Sequence, residues 1–202
     1  MNASGLLVLL GLTFSAGPGA DEHLLAGARE FREARYAEAL VEFRVAQRFG
    51  APDAARYAAV ALVKLGRPEE AIESFGGLEG QGADALVDYY RAVAAFDARL
   101  YLAADRLLAG VADRAGPRIG EQVARMRADI AGALKDEPGT AAIDWYLDRS
   151  AAARAEKRPV VAAAYGREAV ALSERRPDRH RRADAVRAVE AARAAGGTGG
   201  RP

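Results

Sequence analysis

Few side chains in this sequence could carry out chemistry. The chain has no cysteine and only two histidines, His23 and His180, which lie near its opposite ends. It therefore offers no cysteine nucleophile, no thiolate metal site and no disulfide framework. A zinc site or a catalytic triad would need carboxylates grouped around one histidine, but Asp21 and Glu22 point in different directions from His23 on a helix. We expect both histidines to be solvated surface residues.

The other candidates for catalysis also favour structural roles. Ser74, Ser150 and Ser173 each lie inside a predicted helix, without the G-x-S-x-G turn that exposes a nucleophilic serine. The glycine-rich stretch 76–82 (GGLEGQG) lacks the following Lys-Ser/Thr and the preceding strand of a phosphate-binding loop. We therefore predict that the protein is not an enzyme and uses neither a metal nor another cofactor.

A cluster of arginines near the C-terminal end needs a separate explanation. Its members surround Pro177 at the start of the last predicted helix and are Arg175, Arg176, Arg179, Arg181 and Arg182. Nucleic-acid binding would usually add aromatic side chains that stack on bases, and this helix has none. A solvated terminal helix is the favoured interpretation. Contact with an acidic protein or a lipid headgroup is the alternative, and nucleic acid is disfavoured.

Composition fits an ordinary folded soluble chain. Hydrophobic residues make up 50% of the 202 positions and charged residues 28%, with a formal net charge of +1. A nearly balanced charge gives no reason to expect nucleic acid as a partner.

The N-terminus resembles an export signal. Leu6–Phe14 is an apolar run (LLVLLGLTF), followed by small residues up to Ala20 and then by Asp21 and Glu22. A run of this length is too short for a bilayer core, which needs about 20 residues, so we predict a signal peptide at 1–20 and no integral membrane span. The expected location is exported, periplasmic or envelope-associated. Because no basic residue precedes the run, an uncleaved N-terminal anchor and a mis-assigned start remain alternatives.

The rest of the chain is helical in pattern and is punctuated by glycine and proline. No segment shows the alternation of a strand, so the predicted fold class is all-α. Helices are predicted at 22–34, 36–49, 52–65, 67–78, 83–97, 100–115, 118–136, 141–156, 159–175 and 178–195. The tail 196–202 (GGTGGRP) is predicted to be disordered.

Two of these helices contain near copies of one sequence motif, and the copies lie 32 residues apart within Arg35–Phe75. The matched pairs are Tyr36 with Pro68, Ala39 with Ala71, Leu40 with Ile72, and Phe43 with Phe75. A period of this length predicts a stacked array, because one unit alone cannot bury its apolar face.

The spacing of small and aromatic residues resembles that of tetratricopeptide repeats, which are helix–turn–helix units of 34 residues. The first unit matches at Gly27, Phe31, Tyr36, Ala39, Phe43, Ala46 and Pro52. The second matches at Ala59, Gly66, Pro68, Ala71 and Phe75, and the third at Ala92, Phe96, Tyr101 and Ala104, with Leu108 in place of the aromatic residue. The register then fails, because the next similar alanine, Ala162, lies 58 residues beyond Ala104.

This resemblance implies a right-handed α-solenoid. About three repeats would occupy 21–115, and additional antiparallel helices at 116–195 would complete the solenoid. The helix at 118–136 would be a spacer or an unpaired layer. A helical bundle remains the alternative for the C-terminal half.

In the resembled family, partners lie in a concave groove lined by the first helix of each unit. The positions carried over are Arg32, Arg56, Tyr57, Val60, Lys64, Tyr89, Tyr90, Val93 and Phe96. Tyr89, Tyr90 and Phe96 could instead simply pack between helices. Family members that clamp a C-terminal carboxylate use asparagine in this groove. The only asparagine here is Asn2, in the predicted signal, so that ligand class is disfavoured.

The sequence therefore predicts a non-catalytic scaffold or adaptor that binds a protein or peptide partner in a helical groove in the cell envelope. The alternative is a structural or regulatory helical subunit of a cytoplasmic or membrane-associated complex. The identity of the partner and the oligomeric state stay open.

Overall fold

Helices make up all the regular secondary structure in the part of the chain that is described. The computed structural model describes residues 19–51, 53–78, 84–112, 114, 116–135, 139–175 and 179–197. These ranges contain no strand and ten α-helices: α1 Ala20–Arg32, α2 Tyr36–Arg48, α3 Ala54–Lys64, α4 Pro68–Gly76, α5 Ala85–Asp97, α6 Tyr101–Ala112, α7 Pro117–Lys135, α8 Gly139–Ala155, α9 Pro159–Arg175 and α10 Arg179–Gly197. The all-α prediction is confirmed, and each helix begins and ends within three residues of its predicted bounds.

Both predicted terminal segments fall largely outside the described ranges. The predicted signal peptide covers 1–20, and the description begins at Gly19. At the other end, α10 continues to Gly197 and so includes the first two residues of the segment predicted to be disordered. The remaining residues of both segments are outside the described part of the chain.

The chain divides into two compact units, with the boundary between Ala94 and Ala95 inside α5. In the first unit, α1 packs against α2, α2 against α3, and α3 against α4. In the second unit, α6 packs against α7, while α8, α9 and α10 pack against one another and α9 also contacts α6.

One three-residue turn occurs four times, between α1 and α2, α3 and α4, α5 and α6, and α8 and α9. Its central residue has a left-handed backbone, with φ of 59° at Ala34, 67° at Gly66, 63° at Arg99 and 58° at Lys157. The residue that follows donates its N–H to the carbonyl five positions earlier, as in the bond from Arg35 to Glu30. This is the Schellman arrangement that closes a helix. The four helix pairs therefore turn in the same way.

The helix after each turn carries an alanine that has no exposed surface. These alanines are Ala39, Ala71, Ala104 and Ala162, and the N–H of each one bonds to the carbonyl of the last turn residue. The interval of 58 residues between Ala104 and Ala162 contains the whole of α7. The register failure therefore coincides with an additional helix between the third and fourth turns, after which the same turn returns.

Close contact between α1 and α2 depends on Gly27. A β-carbon on Gly27 would lie 2.6 Å from ring atoms of Phe43 and 3.2 Å from the β-carbon of Glu42. The Phe43 ring is buried, and the Tyr57 ring of α3 lies 5.5 Å from it. Three successive helices of the first unit therefore meet around one phenylalanine.

In the second unit, α9 caps the N-terminus of α6. Glu168 is fully buried, and its carboxylate accepts hydrogen bonds from the N–H groups of Leu102 at 2.5 Å and Ala103 at 3.0 Å. These N–H groups have no partner inside their own helix, and a negative charge is favourable at this end of the helix dipole. The Tyr146 hydroxyl donates to the carbonyl of Arg99 at 2.6 Å, which links α8 to the turn between α5 and α6.

Candidate partner-binding site

The predicted groove residues fall into three classes of exposure. Tyr57, Val60, Tyr89 and Tyr90 are buried. The half-buried residues are Arg56, Lys64, Val93 and Phe96, and Arg32 is exposed at the end of α1. Four of the nine positions are thus core residues, and the accessible groups around them are mainly basic.

Two tyrosines from neighbouring positions on α5 form part of this core. Tyr90 is 2% exposed, and the Tyr89 ring lies edge-on to it with 5.6 Å between the ring centres. Within the described residues, the Tyr90 hydroxyl is buried without a hydrogen-bond partner. Burial raises the pKa of Tyr90, because the phenolate would lose its hydration.

Tyr57 is the corresponding core aromatic of α3. Burial, with smaller effects from the charges of Asp53 and Asp84, raises the pKa of Tyr57 to about 12. Asp84 also holds the start of α5, because its carboxylate accepts the N–H of Leu86 at 2.8 Å. Asp84 is therefore a cap that helps to fix the helix bearing Tyr89 and Tyr90.

Lys64, the last residue of α3, is a half-buried cation beside the Tyr90 ring. Its Nζ lies 5.4 Å from the centre of the Tyr90 ring, a cation–π distance. Burial lowers the pKa of Lys64, because the half-buried ammonium has lost part of its hydration. Among the described residues, no carboxylate forms an ion pair with Lys64. By contrast, Arg56 is paired with Asp53 at 3.0 Å.

The remaining predicted residues are not gathered at this point. The described contacts do not connect Arg32 to the tyrosines or to Lys64. Phe96 belongs to the second unit, where its ring packs edge-on against Tyr101 with 5.8 Å between centres. The predicted residues that the described contacts bring together are therefore Lys64, Tyr89 and Tyr90, with Val93 on the same helix as the tyrosines.

An aromatic cluster in the second unit was not anticipated from the sequence. Trp145 lies edge-on to Tyr146 and Tyr165, with ring centres 5.0 Å and 5.8 Å away. The Arg99 guanidinium lies 5.2 Å from the centre of the Trp145 ring, and that of Arg149 lies 5.5 Å from the Tyr165 ring. The only tryptophan of the chain, next to a tyrosine, was the available signal.

Part of the C-terminal arginine cluster forms ion pairs. Arg181 lies 3.0 Å from Asp144 of α8, and Arg182 lies 3.0 Å from Glu174 of α9. Arg175 is exposed at the end of α9, and the side chains of Arg176 and Arg179 are outside the described part of the chain. The two described pairs tie α10 to its neighbours.

His23 differs from the expected solvated residue. Its imidazole is half-buried, donates from Nδ1 to the Glu42 carboxylate at 2.7 Å and stacks on the Phe49 ring with 5.6 Å between centres. That prediction was wrong because the antiparallel pairing of α1 with α2, rather than the neighbouring residues Asp21 and Glu22, supplies its partners. The His180 side chain is outside the described part.

The described residues contain no group of three or more histidine and acidic side chains that could hold a metal ion. No helix among them is both long and apolar enough to cross a membrane.

Comparison of the chain with protein-family models, with curated proteins and with solved structures gives no match.

Proposed function

We propose that the accessible surface at Lys64 and Val93, which rests on the buried rings of Tyr89 and Tyr90, binds an acidic segment of another protein, and that the protein is a non-catalytic scaffold or adaptor. The observation that carries this proposal is the state of Lys64, which is half-buried over the Tyr90 ring without an ion-pair partner among the described residues. Holding an unpaired ammonium away from water costs free energy. A carboxylate brought by a partner would recover that cost.

The surrounding residues suit such a partner. The buried rings of Tyr89 and Tyr90 pack edge-on against each other and form a rigid base beside the cation. Arg56 and Arg91 add further positive groups on α3 and α5, but each already has an aspartate partner, at 3.0 and 3.4 Å. Lys64 is thus the group whose charge is most available to a ligand.

The repeated turn supports a tetratricopeptide-like architecture for this scaffold. Four turns share one backbone geometry, and each is followed by a buried alanine. A repeated helix pair of this kind suits a right-handed solenoid with a preformed binding surface, which limits the ordering cost of binding. In this proposal, the extra helix α7 interrupts the sequence period without ending the repeat.

The proposed location is the cell envelope, after export directed by residues 1–20. The N-terminal apolar run Leu6–Phe14 is the sole basis for this part of the proposal. Sequencing the N-terminus of the protein purified from its own cells tests it. A mature chain that begins near Asp21 supports export, and an intact Met1 in a cytoplasmic fraction contradicts it.

A second candidate function is that of a structural or regulatory subunit in a larger complex. The side chains of Val41 and Phe49 are 59% and 60% exposed; Val41 lies on α2, and Phe49 directly follows its last residue. Positions eight apart are separated by about 80° around a helix, within the width of one apolar stripe. A partner subunit that covers them would bury this apolar surface.

Site-specific photo-crosslinking separates the two candidates. A photoreactive amino acid placed at Val93 should capture the partner in the proposed groove, and one placed at Val41 serves as the matched position on α2. Capture from Val93 with loss of the product in a Lys64→Gln background supports groove binding. Capture only from Val41 supports the second candidate.

A further inference from the structure

The second unit contains an open cleft of about 770 Å³ between α6, α7 and the end of α9. It is lined by Asp105 of α6, by Arg175 of α9 and by seven residues of α7: Ala124, Arg127, Ala128, Ile130, Ala131, Leu134 and Lys135. None of these residues belongs to the groove of the first unit, so the cleft is a separate site.

One face of α7 is left without a helix neighbour at this cleft. Among the described helices, α7 packs mainly against α6. Ala124, Ala128 and Ala131 follow one another at helical spacing and are all exposed, whereas the alanines after the four turns are completely buried by neighbouring helices. Small side chains allow the backbone of a second helix to approach closely. From Ala124 to Lys135 this face is about 17 Å long, or about three turns of helix.

The charged residues that line the cleft indicate the sign of the charge that a partner would carry. Arg127 is paired with Asp105 at 2.8 Å. Lys135 and Arg175 also line the cleft, and neither has an ion pair with another described residue. The described lining therefore carries two positive charges in excess. A second copy of the chain would bring the same cations to this face, so self-association through it is disfavoured.

We propose that this cleft binds an acidic amphipathic helix from another protein, whose apolar side packs on Ala124, Ala128 and Ala131 and whose carboxylates pair with Lys135 and Arg175. Binding of an amphipathic helix in an open groove needs an apolar strip of several turns and charges at its margin, and this cleft has both. The inserted helix α7 thus has a role of its own, independent of the groove around Lys64.

Fluorescence anisotropy with synthetic helices of about 16 residues, long enough to cover three turns, tests the proposal. One probe carries leucine and alanine on one side and glutamate on the other; a second replaces every glutamate by lysine, and a third has a central proline. We expect the full-length protein to bind the glutamate probe and not the other two. Equal binding of the lysine probe or of the proline-interrupted probe overturns the proposal.

Variants of the cleft sharpen the test. Changing Lys135 and Arg175 together to glutamine should weaken binding of the glutamate probe about five- to tenfold, because two exposed ion pairs are lost. Arg125→Gln is the matched control, since Arg125 lies on α7 with an 81% exposed side chain but does not line the cleft. An equal loss with Arg125→Gln overturns the proposal.

Ala128→Arg separates packing in the cleft from general attraction between charges. The new side chain adds a cation but occupies the strip on which the helix would pack. Ala128 is exposed, so the change leaves the core intact. We expect binding to fall at least tenfold despite the added charge, whereas unchanged or tighter binding overturns the proposal. Loss of binding in Lys64→Gln with full binding in Ala128→Arg would place the probe in the first-unit groove and would overturn the proposal for the cleft, so failure here and failure of the first-unit groove are distinguishable.

Sedimentation velocity tests whether a second copy of the chain occupies the cleft. We expect a species of the same size for the wild-type protein and for Ala128→Arg. A dimer that Ala128→Arg converts to a monomer overturns the proposal in favour of a second copy of this chain.

Discussion

Replacing Gly27 by alanine should destabilise the first unit. The added β-carbon would lie 2.6 Å from two ring carbons of Phe43, whereas carbon atoms in good contact are about 3.5–4.0 Å apart. The ring cannot easily move aside, because Phe43 is 2% exposed and Tyr57 packs against it. Helix α1 would have to shift away from α2 by about 1 Å to restore a normal contact.

The expected magnitude is the difference between two opposing effects. Overpacking of a filled core costs roughly 1–3 kcal/mol. Alanine is a better helix former than glycine by up to about 1 kcal/mol, and this gain offsets part of the cost. We therefore expect Gly27→Ala to lower the free energy of unfolding by about 1–2 kcal/mol.

Urea unfolding followed by far-ultraviolet circular dichroism measures this loss. Gly132→Ala in α7 is the matched control, because a β-carbon there would meet no atom within 4 Å. It should stabilise its own unit by up to about 1 kcal/mol. Trp145, the only tryptophan, reports on that second unit by its fluorescence.

A second substitution tests the cause of the loss. In a Phe43→Leu background the ring is gone, so Gly27→Ala should cost about 1 kcal/mol less than in the wild type. Equal costs in the two backgrounds would refute the assignment of the strain to the Gly27–Phe43 contact, and so would a Gly27→Ala protein that is as stable as the wild type.

Three further outcomes follow from individual contacts. Gly66→Ala should lower the free energy of unfolding in urea by about 1 kcal/mol, because the φ of 67° at Gly66 is unfavourable for alanine although the space around the residue is open. An unchanged midpoint of the urea transition would refute this backbone effect. Glu168→Ala should lower the free energy of unfolding of the second unit by about 2–4 kcal/mol, and Glu168→Gln should lower it less, since glutamine keeps one acceptor for the N–H groups of α6. Trp145 fluorescence follows this unfolding, and equal losses in the two variants would contradict the capping role. The pKa of Tyr57 is about 12 in the folded protein, so its contribution to the free energy of unfolding is fully present below pH 10 and is lost as the pH rises from about 10 to 12. This loss of roughly 3 kcal/mol should be absent in Tyr57→Phe. Identical profiles of stability against alkaline pH for the two proteins would contradict the prediction.

Much of the helical framework could be predicted from the sequence. Glycine and proline mark the helix ends, as at Gly66 and Pro68, and their effect on the backbone is local. The matched alanines Ala39 and Ala71 are completely buried, as expected of repeated units that bury their apolar faces by stacking. By contrast, Ala34, Arg99 and Lys157 adopt left-handed turns without the glycine that usually signals one.

Contacts between distant segments could not be predicted in the same way. Glu168 caps a helix that lies 66 residues earlier, and only its position on an otherwise apolar face of α9 hinted at burial. His23 finds Glu42 and Phe49 because two helices pair, which no local pattern encodes.

The proximity of Lys64 and Tyr90 could be predicted from the sequence, whereas the division of the candidate residues into buried and accessible ones could not. The resemblance placed Lys64 and Tyr90 on the first helices of successive units, and in the structure the Lys64 Nζ lies 5.4 Å from the centre of the Tyr90 ring. It could not distinguish the buried Tyr57 from the accessible Lys64, because exposure depends on how closely neighbouring helices pack.

The most direct test of the proposed function is the affinity of the protein for the segment captured by the photo-crosslinker at Val93. Lys64→Met should weaken binding about tenfold, which corresponds to the loss of about 1.4 kcal/mol. The same change should raise the urea midpoint, because it removes a half-buried charge. Arg67→Gln is the control for loss of charge, since Arg67 is exposed and paired with Glu70 three residues away. Weaker binding by a more stable Lys64→Met protein, with Arg67→Gln unchanged, is the predicted result; unchanged affinity in Lys64→Met would contradict the proposed function.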